Sequence, residues 1–295
     1  MSLENLADPV RSLDPYILER ENAKVMLRSD MQARCRSVNQ RDRKAWERIN
    51  SREDWEEFCA PRIHALRQSL GTVPTVPANL SVDVTDTISG DGYRIENLVY
   101  KSRDGVYVTA NLYMPSSPHG KMPVIIIVHS HHNPKTQGEL QDMGMIWARS
   151  GCMVLVMDQL SYGERRQHPP GSRQDYRFRY INGIQLHLIG DSLMGWMVWD
   201  IMRGIDLVTS RTDVDEEKII LMGSVAGGGD VAAVTVALDE RVACAIPFNF
   251  GGPQPETEYP LPEDAEKTFN YMGYGYWNLP ATFVLVDEMG FCPGL

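Results

Sequence analysis

Several things are scarce in this chain, and each scarcity narrows what it can be. No apolar run approaches the length of a membrane-spanning helix, and the N-terminal "MSLENLADPVRSLDPY" has no apolar segment behind a basic start. Neither a spanning helix nor a secretory signal is read, no membrane partner is expected, and the expected location is cytoplasmic. Positive charge is in deficit, with 29 Lys and Arg against 39 Asp and Glu for a net charge of -10. Nucleic acid, whose phosphates need clustered cations, is therefore not an expected partner. The one basic stretch, "RCRSVNQRDRK" at 34–44, reads as the solvated face of a helix. Paired cysteine spacing is missing too. Cys35, Cys59, Cys152, Cys244 and Cys292 are scattered, with no C-x-x-C, which suits reduced thiols rather than a disulfide frame or zinc site. Histidine is absent from the last third: His64, His119, His129, His131, His132, His168 and His187 are all there are.

What is present is a change of texture along the chain. Residues 12–70 are charge-rich with apolar positions at helical spacing (Ile17, Leu18, Val25, Met26; Trp46, Ile49, Trp55, Phe58, Ile63, Leu66), which predicts two or three amphipathic helices. The Pro-rich "GTVPTVPANL" at 71–80 reads as a linker, so 1–75 is expected to be a helical accessory segment and 76–295 the main domain. Alternating strands follow at 82–88, 93–101 and 106–114, joined by "SGDG" and "SRDG" turns. Beyond them "VIIIVH" (124–129), "CMVLVMD" (152–158), "KIILMG" (218–223) and "VACAIPFNF" (242–250) are continuous apolar runs separated by helical stretches near 137–150, at 181–211 and from the glycines of 221–230 to about 238. Such runs, buried on both faces, signal a parallel sheet with helical crossovers. Antiparallel strands feeding a mostly parallel sheet are the plan of the α/β-hydrolases.

In an open α/β sheet, ligands bind beyond the carboxyl ends of the strands. Four segments are weighed there. "HSHHNPK" at 129–135 concentrates histidines, but so short a loop rarely supplies a full metal set. No metal is expected. His129 either caps its strand against the next loop or, with His131 and His132, offers a base, and Ser130 falls where a loop lends a backbone N–H to an oxyanion. "DQLSYGERR" at 158–166 places Asp158 and Tyr162 as pocket residues. "IGDSLMGW" at 189–196 spells a known hydrolase motif, but out of context, among apolar residues at helical spacing. A chance match inside a helix is the reading.

The fourth segment, "LMGSVAGGGD" at 221–230, looks like a nucleophile elbow with the serine displaced. An elbow needs tiny residues two before and two after its apex, and Gly223 and Gly227 meet that only with Val225 at the apex. A β-branched apex in strained backbone is costly, by about 1–3 kcal/mol. Either the turn has relaxed and brings Ser224 outward, or no reaction depends on it. In both cases the glycines fit close helix–strand packing, and the N–H of Ala226 stands at a helix N-terminus suited to an oxyanion.

From about 85 to 275 the chain resembles the acetyl-xylan-esterase-like and dienelactone-hydrolase-like branch of the α/β-hydrolases, on "VYVTANLYMP", "PVIIIVHSHH", "GCMVLVMDQLSYGERR", "HLIGDSLMGWMVWDIMRGIDLV", "IILMGSVAGGGD" and "IPFNFGG". The resemblance implies a carboxylic-ester hydrolase for acylated carbohydrate or other small esters, without cofactor. Two departures stand against the family pattern: valine at the apex, and no histidine after the elbow, where this fold keeps its base. If the site is active, Ser224 is the local hydroxyl and His129, His131 or His132 the base. A non-catalytic member binding a small ligand or partner in the same pocket is the alternative, and a metal-dependent hydrolase built on the histidine loop trails both. The stretch 276–295 does not continue the family pattern. Read in another frame through synonymous codons it yields a string similar to the family's continuation, so a frameshifted, truncated chain lacking its last strands is expected. The strand at 242–250 would then be an exposed apolar edge, and a homodimer through it is expected.

Overall fold

The computed structural model describes residues 26–76, 79–129, 134–169 and 174–248. Two helices come first, α1 (Met26–Trp46) and α2 (Arg52–Ser69). The second starts on a capping box in which Ser51 and Asp54 each accept the other's backbone N–H at 3.0 Å. A seven-stranded sheet follows, built from β1 (Asp83–Ser89), β2 (Tyr93–Arg103), β3 (Val106–Pro115), β4 (Met122–Val128), β5 (Met153–Met157), β6 (Val214–Ser224) and β7 (Cys244–Phe248). Its order is β1-β2-β3-β5-β4-β6-β7. The first three strands are an antiparallel meander, β3 meets β5 antiparallel, and β5, β4, β6 and β7 run parallel. This is the mostly parallel sheet with antiparallel entry expected of an α/β-hydrolase fold.

Burial follows each strand's place. β1, an edge, is exposed along its length, whereas central β5, "MVLVM", is wholly buried. Alternation then sends neighbouring side chains to opposite faces. Val124, Ile126 and Val128 of β4 join Leu155, Leu221 and Ile205 on one side. Ile125 and Ile127 join Tyr113, Val154 and Val156 on the other, under helix α3 (Gly138–Arg149). Burying each such aliphatic side chain contributes about 1.5–3 kcal/mol. On the far edge β7 leaves Ile246 and Phe248 exposed among the described residues. The tail at 276–295 lies outside them.

The apolar stretch at 181–211 is not one continuous helix. It divides into α4 (Gln174–Leu188) and α5 (Leu193–Thr209), and of the letters "GDSL" the first three are the break itself while Leu193 opens the next helix. Gly190 turns at φ +81, a conformation that favours glycine. Asp191 accepts the backbone N–H of Thr72 at 2.9 Å and the indole N–H of Trp196 at 3.2 Å. Ser192 caps α5 by accepting the N–H of Gly195 at 2.9 Å, and its hydroxyl donates to the carbonyl of Leu70 at 2.9 Å. The motif therefore locks the end of α2 onto the sheet domain. Ser192→Ala, which removes both bonds at a buried site, is expected to cost about 1–2 kcal/mol in urea denaturation.

Candidate active site

The parallel strands place three chain segments side by side at one end of the sheet. Val128 pairs with Gly223 and Ile127 with Val156, so the residues at or just past the ends of β4, β5 and β6 are neighbours. They are His129, then Asp158 and Gln159, then Ser224.

At the third of these, β6 passes directly into helix α6 (Val225–Leu238). Ser224 is the N-cap, half-buried, at φ -130 and ψ 139, which is ordinary extended backbone. Val225 is the first helical residue rather than a strained apex, so the turn has relaxed. The glycines explain why it can. A Cβ on Gly223 would lie under 3.0 Å from the carbonyl oxygen of Gly228, and one on Gly228 under 3.0 Å from that of Val128. Gly223 and Gly228 are thus a pair of close-approach positions that press the first turn of α6 onto β4 and β6. Ser224 makes no side-chain cap bond. The first-turn N–H groups, that of Ala226 among them, have no intrahelical acceptor and stand at the positive end of the helix dipole.

His129 is 2% exposed. Its ring meets Tyr162 edge-on at 6.3 Å, and its Nε2 accepts the backbone N–H of Gln159 at 3.4 Å. It closes its strand against the next loop, one of the two roles its position offered. Tyr162, expected in the pocket, is fully buried beneath that ring, with the Arg179 guanidinium 5.0 Å from the centre of its own. Ser130, His131 and His132 lie outside the described residues.

Asp158, expected as a pocket residue, is wholly buried and occupied. Its carboxylate accepts from the Lys135 backbone N–H (2.8 Å) and ammonium (2.9 Å), the Thr109 hydroxyl (2.8 Å) and the Glu164 N–H (3.2 Å). It is an anchor, tying β3, the end of the post-β4 segment and the turn after β5 together. Burial by itself would raise its pKa, but the bonds from Lys135 outweigh that and hold it below the usual carboxylate range. Burial likewise opposes the charge on Lys135, yet Asp158 and Glu164 together raise its pKa above the ordinary lysine value. Behind this pair the Arg165 guanidinium donates to the Asp158 carbonyl at 3.0 Å and to the buried Asp200 carboxylate at 2.8 Å. The strain expected at the elbow is found here. Ser161, in this same turn, has φ +76, and a Cβ on Gly163 (φ +52) would collide with the Asp158 carboxylate.

Gln159 was not expected from the sequence at all. Its side-chain N–H groups donate to the carbonyls of His129 (2.9 Å) and Gly227, and its oxygen accepts from Arg179 at 3.0 Å. No local pattern marks it, because its partners lie 30, 68 and 20 residues away.

Comparison with known proteins gives these features a context. A family model described as acetyl xylan esterase (AXE1) matches residues 48–250. YtaP of Bacillus subtilis (strain 168) is 24% identical over 198 residues, covering 63% of this chain and 62% of YtaP. The chain thus spans less than two thirds of the length of that curated relative. Among solved structures, BF1801 of Bacteroides fragilis NCTC 9343 aligns with a TM-score of 0.60 at 14% identity, over 83% of this chain and 74% of its own. A glucuronoyl esterase from Solibacter usitatus aligns with a TM-score of 0.53 at 16% identity, over the same shares. At these identities the structures testify to the fold.

Proposed function

The chain belongs to the acetyl xylan esterase family, and from that premise we propose that it is a carboxylic-ester hydrolase acting on small acyl esters of carbohydrates. The observation that carries the reading is the position of Ser224, a half-buried hydroxyl at the head of α6, in the segment where this fold keeps its nucleophile. In this reading the Ser224 Oγ attacks the acyl carbon. Its proton passes to a histidine of the 129–132 segment, and that histidine returns it to the departing alcohol. The oxyanion of the tetrahedral intermediate sits against the N–H of Ala226 and one N–H from 130–132. Each such donor typically supplies about 100- to 1000-fold in rate. Water then releases the acid by the same steps. His129, with its ring enclosed by Tyr162 and Gln159, serves better to fix the start of the segment than to shuttle protons.

One observation favours a second reading, a non-catalytic member that binds a ligand in the same pocket: the relaxed backbone of Ser224 lacks the strain that normally thrusts a nucleophile forward. Hydrolysis of p-nitrophenyl acetate separates the two. For an esterase, Ser224→Ala is expected to lower kcat/KM by about 100-fold or more, with no response to chelator. Undiminished turnover in that variant removes Ser224 as nucleophile, a chelator effect turns attention to metal at the histidine segment, and an inactive wild type favours the binding reading.

A further inference from the structure

Two consecutive residues after β5 hold the site's neighbouring segments, and the second of them carries an inference beyond the reaction itself. We infer that Gln159 is a positioning residue, whose amide sets the separation between the post-β4 backbone and the first turn of α6. It is 5% exposed and fully engaged. Its amide N–H groups bridge the carbonyl oxygens of His129 and Gly227, its oxygen takes a guanidinium N–H from Arg179, and its backbone N–H reaches His129 Nε2. A primary amide has two donors on nitrogen and acceptor capacity on oxygen, and only one orientation of it satisfies two carbonyls and a guanidinium together. Glutamate has the same shape and no donor. It would set a carboxylate against two carbonyl oxygens. Asparagine keeps the chemistry but is one methylene short, and methionine keeps the length without the amide.

The kinetic consequence rests on the esterase reading. The two N–H groups assigned there to the oxyanion come from the two segments that Gln159 bridges. An interaction that holds them in place acts mainly in the transition state, so its loss falls on kcat rather than on KM. The geometric consequence is independent of any reaction: the start of α6 and the end of β4 lose their common tether.

Both are measurable in the full-length chain. Gln159→Met and Gln159→Asn are compared with wild type for kcat and KM toward p-nitrophenyl acetate, and for hydrogen exchange of peptides covering 124–129 and 225–231. For Gln159→Met the expected result is a fall in kcat of about 100-fold with KM changed by less than about three-fold. Exchange should quicken in both peptides and stay as it is in β1 and β2. Gln159→Asn should fall between Gln159→Met and wild type, and Gln159→Glu should match or exceed the methionine variant if it folds. A folded Gln159→Met with wild-type kcat, or with unchanged exchange at 225–231, overturns the inference. If the wild type hydrolyses nothing, the esterase reading fails by itself. The exchange measurement then decides whether Gln159 positions the two segments.

Discussion

Gly228→Ala should leave little folded protein. The added Cβ would stand well under 3.0 Å from the carbonyl oxygen of Val128 and 3.0–3.1 Å from the backbone of His129, and neither group can give way. Val128 belongs to β4, which is paired on one side with β5 and on the other with β6, so moving it disturbs three central strands. Overpacking against a side chain usually costs about 1–3 kcal/mol, and here the obstacle is backbone, so at least about 3 kcal/mol is expected. Soluble yield and the urea midpoint both report it. Gly138→Ala is the natural control, because nothing lies within 4 Å of that position, and its effect should stay within about 0.5 kcal/mol. Equal behaviour of the two variants would mean that the α6–β4 approach is looser than described. It would also remove the explanation offered for the glycines at the head of α6.

The second large effect belongs to Asp158. Asp158→Ala strands the Lys135 ammonium, whose side chain is 5% exposed, and leaves the Thr109 hydroxyl and two backbone N–H groups without their acceptor. Glu164, largely exposed, is only a partial substitute. Breaking a buried pair from one side costs about 3–5 kcal/mol. Replacing both partners, as in Asp158→Leu with Lys135→Met, should be the milder change, and the double-mutant cycle measures the difference. The pair also predicts a pH response. Asp158 is held below its ordinary range when folded, so its contribution is present above the ordinary carboxylate pKa and is lost as pH falls through the lower folded value. Lys135 is raised when folded, so its contribution is present below the ordinary lysine value and is lost as pH rises through the higher one. Wild type should therefore lose stability at both extremes, and the double variant should lose less at each. A double variant with the wild-type pH profile would show that other groups set it.

How much of this was legible beforehand depends on distance along the chain. The strands were, because continuous apolar runs such as "VIIIV" and alternating ones such as "VYVTANLYM" carry their period within a few residues. The α/β architecture followed from their order. Helix ends were less so. The stretch 181–211 reads as one apolar helix, yet Gly190, Asp191 and Ser192 interrupt it to hold the Leu70–Thr72 backbone, a partner more than a hundred residues earlier that no local pattern announces.

At the site the division is sharper. By itself the sequence determined that a glycine-rich strand-to-helix junction sits at 223–228 with a serine beside it, because backbones can approach so closely only where side chains are missing. It also determined that no histidine follows that junction among the residues of this chain. Only the tertiary structure decided what the neighbouring polar residues do. Asp158 looks like a pocket acid from its strand-end position and turns out to be a buried anchor, since Lys135 reaches it from the segment that follows the neighbouring strand, β4. Gln159 looks unremarkable and holds two segments together. Whether a polar side chain faces a ligand or a partner is set by what the sheet brings alongside it. Burial then makes that partnership obligatory, because a charge or amide taken out of water must be satisfied by the groups that folding happens to place there.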